Sequence, residues 1–70
     1  MILMDKKGHL VSDNNLDELH FFAERIGLKR HWFQDGKVPH YDLKGVMVQR
    51  ALVKGAVMVT SRDIVERGIR

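Results

Sequence analysis

The segment from Asn15 to Gly27 constrains the fold of this chain more than any other, because its spacing is that of an amphipathic helix. Its apolar side chains recur at helical intervals and form one stripe: Leu16, Leu19, Phe22, Ala23 and Ile26. Asn15 is a good cap for the first turn, and Glu18 is placed to complete a capping box. Gly27 follows where a left-handed residue commonly ends a helix. We predict a helix over residues 15–26, whose apolar stripe needs a second layer to cover it.

Turn signals divide the rest of the chain into shorter elements. The predicted strands are residues 1–4, 9–12 and 57–60, and the further predicted helices are residues 46–54 and a short one from Thr60 or Ser61 to Arg67. The main order is strand, helix, long loop, helix, strand, helix, and strands separated by helices typically lie side by side and parallel. We predict a single small α/β or α+β domain over residues 1–70. In it, two to three short strands pack against two main helices and a short C-terminal helix.

The absence of cysteine limits the ways in which so short a chain can reach stability. A domain of 70 residues buries only about 60% of the surface that its unfolded chain exposes. Domains of this size often depend on disulfides, a bound metal or a partner subunit, and the lack of cysteine excludes the first of these. The uncharged apolar runs are far too short to span a bilayer. We expect a cytoplasmic protein, with a homodimer as one source of added stability.

Positive charge is concentrated in the second part of the chain. The net charge is +3 overall, and residues 43–70 carry six Lys and Arg against two Asp and Glu, whereas residues 1–42 are slightly acidic. A basic half of this size suits a phosphate-bearing or other anionic partner. It is also typical of an ordinary solvated surface, and both interpretations stay open.

The loop from Arg30 to Asp42 contains the only tryptophan, the only tyrosine, the only proline and two of the four histidines. Pro39 favours extended backbone before it. If the residues after it are extended too, His40 and Asp42 project to one side and Tyr41 to the other. An imidazole beside a carboxylate suits a general base or a metal ligand. The structural alternative is that Asp42 caps the next helix and that His40 is a partly buried polar residue.

Four short motifs are distinctive in combination. They are Glu18-Leu19-His20, Trp32-Phe33-Gln34, His40-Tyr41-Asp42 and Gly55-Ala56-Val57. Together they resemble a family of short phage and bacterial proteins catalogued as a domain of unknown function, over a span from His9 to about Val65. Similar proteins open with a longer, aspartate-rich strand, where this chain has only Met4-Asp5-Lys6-Lys7-Gly8. The resemblance implies a small, phage-related cytoplasmic protein and brings no established activity.

Aromatic and basic side chains of the loop and the two main helices predict a site for a phosphate-bearing ligand. Trp32 and Tyr41 can stack on a base, and Arg50 can neutralise a phosphate. Phe33 is expected to anchor the loop in the core. The predicted ligand-binding residues are His20, Trp32, His40, Tyr41, Asp42 and Arg50. The favoured function is a non-catalytic binding protein for a nucleotide or nucleic acid, without a cofactor.

A metal-assisted phosphodiesterase or nuclease is the first alternative. A divalent metal would then be held by His9, Asp13, His20 and His40, with Asp42 beside them. The four histidines show none of the pairwise spacing that is typical of metal sites built on helices. The sequence permits such a site without requiring it.

A protein partner is the second alternative, with the chain acting as an inhibitor or adaptor. Phe21, Val46 and Val53 lie off the apolar stripes of their helices. They would form a contact with that partner or a homodimer interface, unless loop residues cover them.

Overall fold

A β-hairpin near the start of the chain forms the middle of the sheet. In the computed structural model, which describes residues 1–69, strand β1 spans Ile2–Met4 and strand β2 spans His9–Ser12. The two strands are antiparallel, with Leu3 opposite Val11. The turn between them is residues 5–8, where the lysines and the glycine predicted a turn.

Two short outer strands complete a four-stranded mixed sheet. Strand β3 is Tyr41–Asp42 and pairs antiparallel with β2, whereas strand β4 is Val57–Met58 and pairs parallel with β1. The strand order is β3-β2-β1-β4, so the predicted parallel neighbours are β1 and β4. Strand β3 lies inside the predicted long loop, because two paired residues are too few to leave a periodic signal in the sequence.

Three helices pack against this sheet. Helix α1 spans Leu16–Arg25, helix α2 spans Val46–Val53 and helix α3 spans Ser61–Arg67, and a 3₁₀ turn, Arg30–Trp32, lies in the loop. These bounds agree with the predicted helices once the capping residues are set aside. The predicted class, a small α+β domain with two main helices and a short C-terminal one, is confirmed.

The helix caps follow the sequence prediction in part. The side chain of Asn15 accepts a hydrogen bond of 2.7 Å from the backbone N–H of Glu18, and Thr60 forms a complete capping box with Asp63. The carboxylate of Glu18, however, accepts a hydrogen bond from the Ser12 hydroxyl. The end of β2 is thereby joined to the start of α1, and only the Asn15 half of the predicted capping box is present.

The two faces of the sheet are covered by different helices. On the first face, Met4 and Tyr41 belong to a core cluster with apolar residues of α1 and α2. On the second face, Leu3 and Val11 pack against Ile64 of α3. Because side chains alternate along a strand, neighbouring residues of one strand serve different layers. The fold therefore has three layers, with α1 and α2 on one side of the sheet and α3 on the other.

Gly8 is the point where the hairpin turn makes its closest approach to the chain leaving β3. Its φ of +92° lies in the left-handed region that favours glycine. The N–H of Leu43 donates a hydrogen bond of 2.8 Å to the carbonyl of Gly8. A Cβ at this position would overlap the carbonyl oxygen of Leu43. The hairpin and β3 can only approach in this way if residue 8 lacks a side chain.

We expect Gly8→Ala to lower the free energy of unfolding by at least about 2 kcal/mol, since it adds both backbone strain and overlap with Leu43. Gly36→Ala is the matched control, because nothing lies within 4 Å of a Cβ at Gly36 and its φ is not positive. Urea unfolding of both variants measures the difference. Equal midpoints for Gly8→Ala and Gly36→Ala would contradict this account of the turn.

Candidate functional site

Asp5 is the buried charged residue around which the candidate site is built. It follows β1 directly and its exposed fraction is 1%. One carboxylate oxygen, Oδ1, accepts hydrogen bonds of 3.0 Å from the backbone N–H groups of Lys7 and His9. The other, Oδ2, accepts bonds of 2.8 Å from the His9 imidazole and the Ser61 hydroxyl. These four donors satisfy a carboxylate that would otherwise be costly to bury.

Two opposing effects set the pKa of Asp5. Burial raises it, but the hydrogen bonds from His9 and Ser61 outweigh burial, and the pKa lies below its usual value. Asp5 is therefore ionised at neutral pH, and an ionised carboxylate only accepts hydrogen bonds. His9 must then carry its proton on Nδ1 and donate it to Asp5, which leaves Nε2 as the nitrogen available to a ligand.

His40, like His9, donates a hydrogen bond through Nδ1, but to a different acceptor. Its Nδ1 lies 2.8 Å from the carbonyl oxygen of Val38, which can only accept, so Nε2 is again the available nitrogen. The imidazole rings of His9 and His40 meet edge to face, with 5.5 Å between their centroids. Oδ1 of Asp42 lies 3.7 Å from Nε2 of His9 and 3.5 Å from Nε2 of His40. The available nitrogens of both imidazoles thus lie near the same carboxylate oxygen.

Asp42 is held in this position by its strand. It pairs with His9 across β2 and β3, and its Oδ2 accepts a hydrogen bond from the side-chain amide of Gln34. Helix α2 begins after Gly45 and has no side-chain cap, so the interpretation of Asp42 as a helix cap was wrong. The physical reason is the β3 pairing, which keeps Asp42 in extended backbone.

Asp5, His9 and His40 border an open cavity of about 260 Å³ between the hairpin turn, the loop and α3, whereas Asp42 lies outside its lining. Its lining residues are Asp5, Lys7, His9, Lys37, Val38, His40, Ser61, Ile64 and Val65. The turn and the loop contribute basic groups, whereas α3 and Val38 contribute an apolar wall. A few polar groups converging on an apolar pocket are the usual make-up of a ligand site.

A second cluster of rings lies on the opposite face of the sheet. Nδ1 of His20 is 2.8 Å from the Tyr41 hydroxyl, and the Phe33 ring centroid lies 4.5 Å from that of His20 and 5.5 Å from that of Tyr41. Burial raises the pKa of Tyr41, and burial together with the charge of Arg30 lowers the pKa of His20. Because its pKa is lowered, His20 is neutral at pH 7. Phe33 packs against the core, as predicted.

The predicted ligand-binding residues are therefore divided between two faces of the sheet. His40 and Asp42 belong to the candidate site, whereas His20 and Tyr41 lie on the side of α1. The side chains of residues 40–42 project alternately to the two faces, as predicted, and this places His40 and Asp42 on one face and Tyr41 on the other. Tyr41 is only 1% exposed, so its ring has no free face on which a base could stack.

Trp32 and Arg50 also lie away from the cavity. Trp32 is 45% exposed on the 3₁₀ turn, and its nearest ring neighbour is His31, with 5.9 Å between centroids. Nη1 of Arg50 donates a hydrogen bond of 3.2 Å to the carbonyl of Ile26. That carbonyl is at the C-terminal end of α1, where a cation is favourable. Arg50 thus joins α2 to α1 and is not positioned for a ligand in the cavity.

The residues predicted as a metal set do not converge. His9 begins β2, and Asp13 follows its other end, where it pairs with the Met1 amino group at 2.9 Å. His20 lies on the opposite face of the sheet from His40. Within residues 1–69, no three His, Asp or Glu side chains are arranged so that they could hold a metal ion. The metal-assisted alternative thereby loses the residue set on which it was based.

The three apolar residues predicted to lie off the helix stripes are all exposed. Phe21, Val46 and Val53 have exposed fractions of 66%, 74% and 79%. The interpretation in which loop residues cover them was therefore wrong. A homodimer or partner contact through these residues stays a prediction.

The sequence interpretation missed the residue that organises the site. Asp5 comes directly after an apolar strand, three residues before a turn glycine and four before His9, and this pattern was the available signal. Ser61 carried no such signal. It lies 56 residues from Asp5 in the sequence, and its position before a helix suggested only a cap.

Fold and site together define a small α+β domain with a histidine-lined cavity between its sheet and its C-terminal helix. The model of a family described as proteins of unknown function, DUF4031, matches residues 4–70, and the chain belongs to this family. No curated protein and no solved structure matches the chain. None of the helices described within residues 1–69 is long and apolar enough to cross a membrane.

We expect Asp5→Asn to lower the free energy of unfolding at pH 7 by roughly 2–3 kcal/mol, since hydrogen bonds to a buried charge are lost. The pKa of Asp5 is lowered by folding. Its stabilising contribution is therefore complete above the ordinary carboxyl pKa of about 3.9 and is lost as the pH falls through the lower folded value. Urea unfolding at pH 7 and at several values below 4 should show the gap between variant and parent closing in acid.

The exposed residue Asp35 provides the control for this experiment. Asp35→Asn removes the same charge from the surface of the loop and should change the free energy of unfolding by less than about 0.5 kcal/mol. A gap between Asp5→Asn and the parent that stays constant from pH 7 to pH 2 would contradict the role assigned to the Asp5 carboxylate.

Proposed function

We propose that the protein binds a phosphate-bearing ligand, a nucleotide or a short nucleic acid, in the cavity between the hairpin turn, the loop and α3. The observation that carries this proposal is the convergence of four basic side chains, Lys7, His9, Lys37 and His40, on one cavity. The turn and the loop that supply them are far apart in the sequence, so folding concentrates this charge. The volume of about 260 Å³ suits a phosphate group with part of the attached nucleoside.

The carboxylate within the cavity wall does not cancel this basic character. Asp5 is fully occupied by its four hydrogen-bond donors. Lys7 and Lys37 are exposed, and neither forms a salt bridge with another residue in the described part of the chain, residues 1–69. An ammonium group on a flexible stem binds phosphate as a mobile point charge. Both lysines are therefore available to an anion.

The apolar wall supports a ligand with more than a phosphate group. Val38 and Ile64 belong to the core cluster on this face of the sheet, and they line the cavity together with Val65. A base or a sugar face can pack against such side chains while the phosphate stays at the basic end. This wall takes over the role that the sequence interpretation had given to Trp32 and Tyr41.

We expect the protein to bind adenosine 5′-monophosphate and the double variant Lys7→Gln/Lys37→Gln to bind it at least 10-fold more weakly. The reason is the loss of two charge-assisted contacts, each worth about 1.5 kcal/mol or more. Isothermal titration calorimetry at low salt measures both affinities. Affinity of the parent should fall as salt is raised, because the lysines act through their charge.

The control for this measurement is Lys29→Gln/Lys54→Gln. It removes the same two charges from exposed positions that do not line the cavity, and its affinity should stay within about 2-fold of the parent. Equal weakening by the two double variants would mean that only net charge matters. That result, or no binding of either the nucleotide or a short oligonucleotide, would overturn the proposal.

A further inference from the structure

We infer, on the basis of the proposed function, that the site cleaves RNA, with His40 as general base, His9 as general acid and Asp5 as the positioning residue of His9. The substrate class is a ribonucleoside 3′-phosphodiester. The attacking group is the substrate's own 2′-hydroxyl. Two features support this inference: the geometry of the two imidazoles, and the lack of a suitable nucleophile among the residues that line the cavity.

The two imidazoles are close enough to act on one phosphate group. Their centroids are 5.5 Å apart, and their available Nε2 atoms both lie within 3.7 Å of Oδ1 of Asp42. Proton transfer requires each nitrogen to come within roughly 2.6–3.2 Å of a reacting oxygen. An anionic oxygen near both nitrogens is already present in Asp42, and a phosphate oxygen takes its place when a substrate replaces that carboxylate.

Different acceptors assign different roles to the two histidines. The Nδ1–H of His9 donates a hydrogen bond to the ionised carboxylate of Asp5, which is the arrangement between a carboxylate and a catalytic histidine. His40 donates its Nδ1 proton to the neutral carbonyl of Val38. We assign the acid to His9, whose ring is held by a carboxylate, and the base to His40, whose ring is held by a neutral carbonyl. The two rings thus differ in the partner behind them, as an acid and a base in one reaction require.

The chain offers no nucleophile of its own in the cavity. It has no cysteine, and the only hydroxyl that lines the cavity, that of Ser61, donates to Asp5. Nδ1 of His9 donates to the same carboxylate oxygen as Ser61, so this nitrogen cannot act as a base for the serine. A substrate that carries its nucleophile next to the phosphate avoids this difficulty. RNA does so through its 2′-hydroxyl, which DNA lacks.

The reaction is an internal transfer that needs no further reactant. Nε2 of His40 takes the proton of the 2′-hydroxyl while the 2′-oxygen forms a bond to phosphorus. The bond from phosphorus to the 5′-oxygen breaks, and Nε2 of His9 gives its proton to that leaving oxygen. The products are a 2′,3′-cyclic phosphate and a free 5′-hydroxyl. Lys7 and Lys37 stabilise the charge that builds on the non-bridging oxygens, and exchange with water restores both histidines.

The carboxylate of Asp42 occupies the position of the substrate phosphate and also repels that phosphate. The side chain of Asp42 is 39% exposed. Its Oδ2 accepts a hydrogen bond from Gln34, whereas its Oδ1 lies 3.5 Å or more from the Nε2 atoms of both imidazoles, so it can turn outward when a phosphate enters. A carboxylate near the entering phosphate weakens binding through repulsion. Asp42→Asn should therefore lower KM for an RNA substrate by about 3-fold or more while both histidines stay in place.

The test compares uridylyl-(3′→5′)-adenosine with its analogue that lacks the 2′-hydroxyl, in the presence of excess EDTA. We expect cleavage of the ribose substrate into uridine 2′,3′-cyclic phosphate and adenosine, identified by chromatography. The deoxy analogue should bind with similar affinity in calorimetry and remain intact. The rate should rise and then fall with pH, since one group must be neutral and the other protonated.

Variants separate the two histidines from contaminating activity and from misfolding. His9→Asn and His40→Asn should each lower kcat by about 100-fold or more, with the affinity for the deoxy analogue changed far less. His31→Asn is the control, because His31 is exposed on the 3₁₀ turn and does not line the cavity. Asp5→Asn should lower kcat while the affinity for the deoxy analogue changes far less, a split that a purely structural role would not produce. Circular dichroism and urea unfolding establish that each variant is folded.

The possible results distinguish this inference from the proposed function. Binding of the deoxy analogue without cleavage of the ribose substrate would overturn the inference and leave the proposed function standing. Absence of binding to both would overturn both. Cleavage that EDTA abolishes, or that survives in a His9→Asn/His40→Asn double variant, would overturn the mechanism in favour of a metal-dependent or contaminating activity.

Discussion

The rest of the structure depends on the hydrogen bonds that the buried carboxylate of Asp5 accepts. Its four hydrogen bonds close the hairpin turn, fix the ring of His9 and attach α3 to the sheet through Ser61. A domain of this size has a small hydrophobic core, and α3 contributes only Ile64 as a fully buried residue. The polar attachment at Asp5 therefore supplements a thin apolar contact. Asp5, His9 and Ser61, which take part in these hydrogen bonds, also line the cavity.

Side chains alternate between the two faces of the sheet along each strand, so the main core and the candidate site lie on opposite faces. One face of the sheet carries the larger core, including Tyr41 and its neighbours His20 and Phe33. The other face carries His9 and Asp42, which are paired residues on β2 and β3. A polar site can lie directly behind an aromatic core because a single sheet stands between them. Each layer keeps its own environment, so His20 is neutral and partly buried among aromatic rings on one side, whereas His9 is partly exposed beside carboxylates on the other.

The parts of the fold that could be predicted from sequence are those determined by local signals. Helix α1 has an apolar stripe, a cap at Asn15 and a left-handed Gly27, and each of these lies within one segment. The opposite projection of His40 and Tyr41 was likewise predictable from the extended backbone around Pro39. The assembly of the site was not predictable, because it depends on a contact between Asp5 and Ser61 across 56 residues. Sequence spacing also could not show that His20 faces the core.

The bridge between Gln34 and His40 has a consequence for how this family can vary in length. It closes residues 35–39 into a loop whose two ends are held by backbone hydrogen bonds of 2.9 and 3.1 Å. Insertions or deletions at the tip, around Gly36, therefore do not change the face of the sheet to which each residue after His40 projects. One residue inserted between His40 and Tyr41 would reverse that face and turn the Tyr41 ring away from the core. Relatives should differ in length at the loop tip and keep constant length a few residues further along.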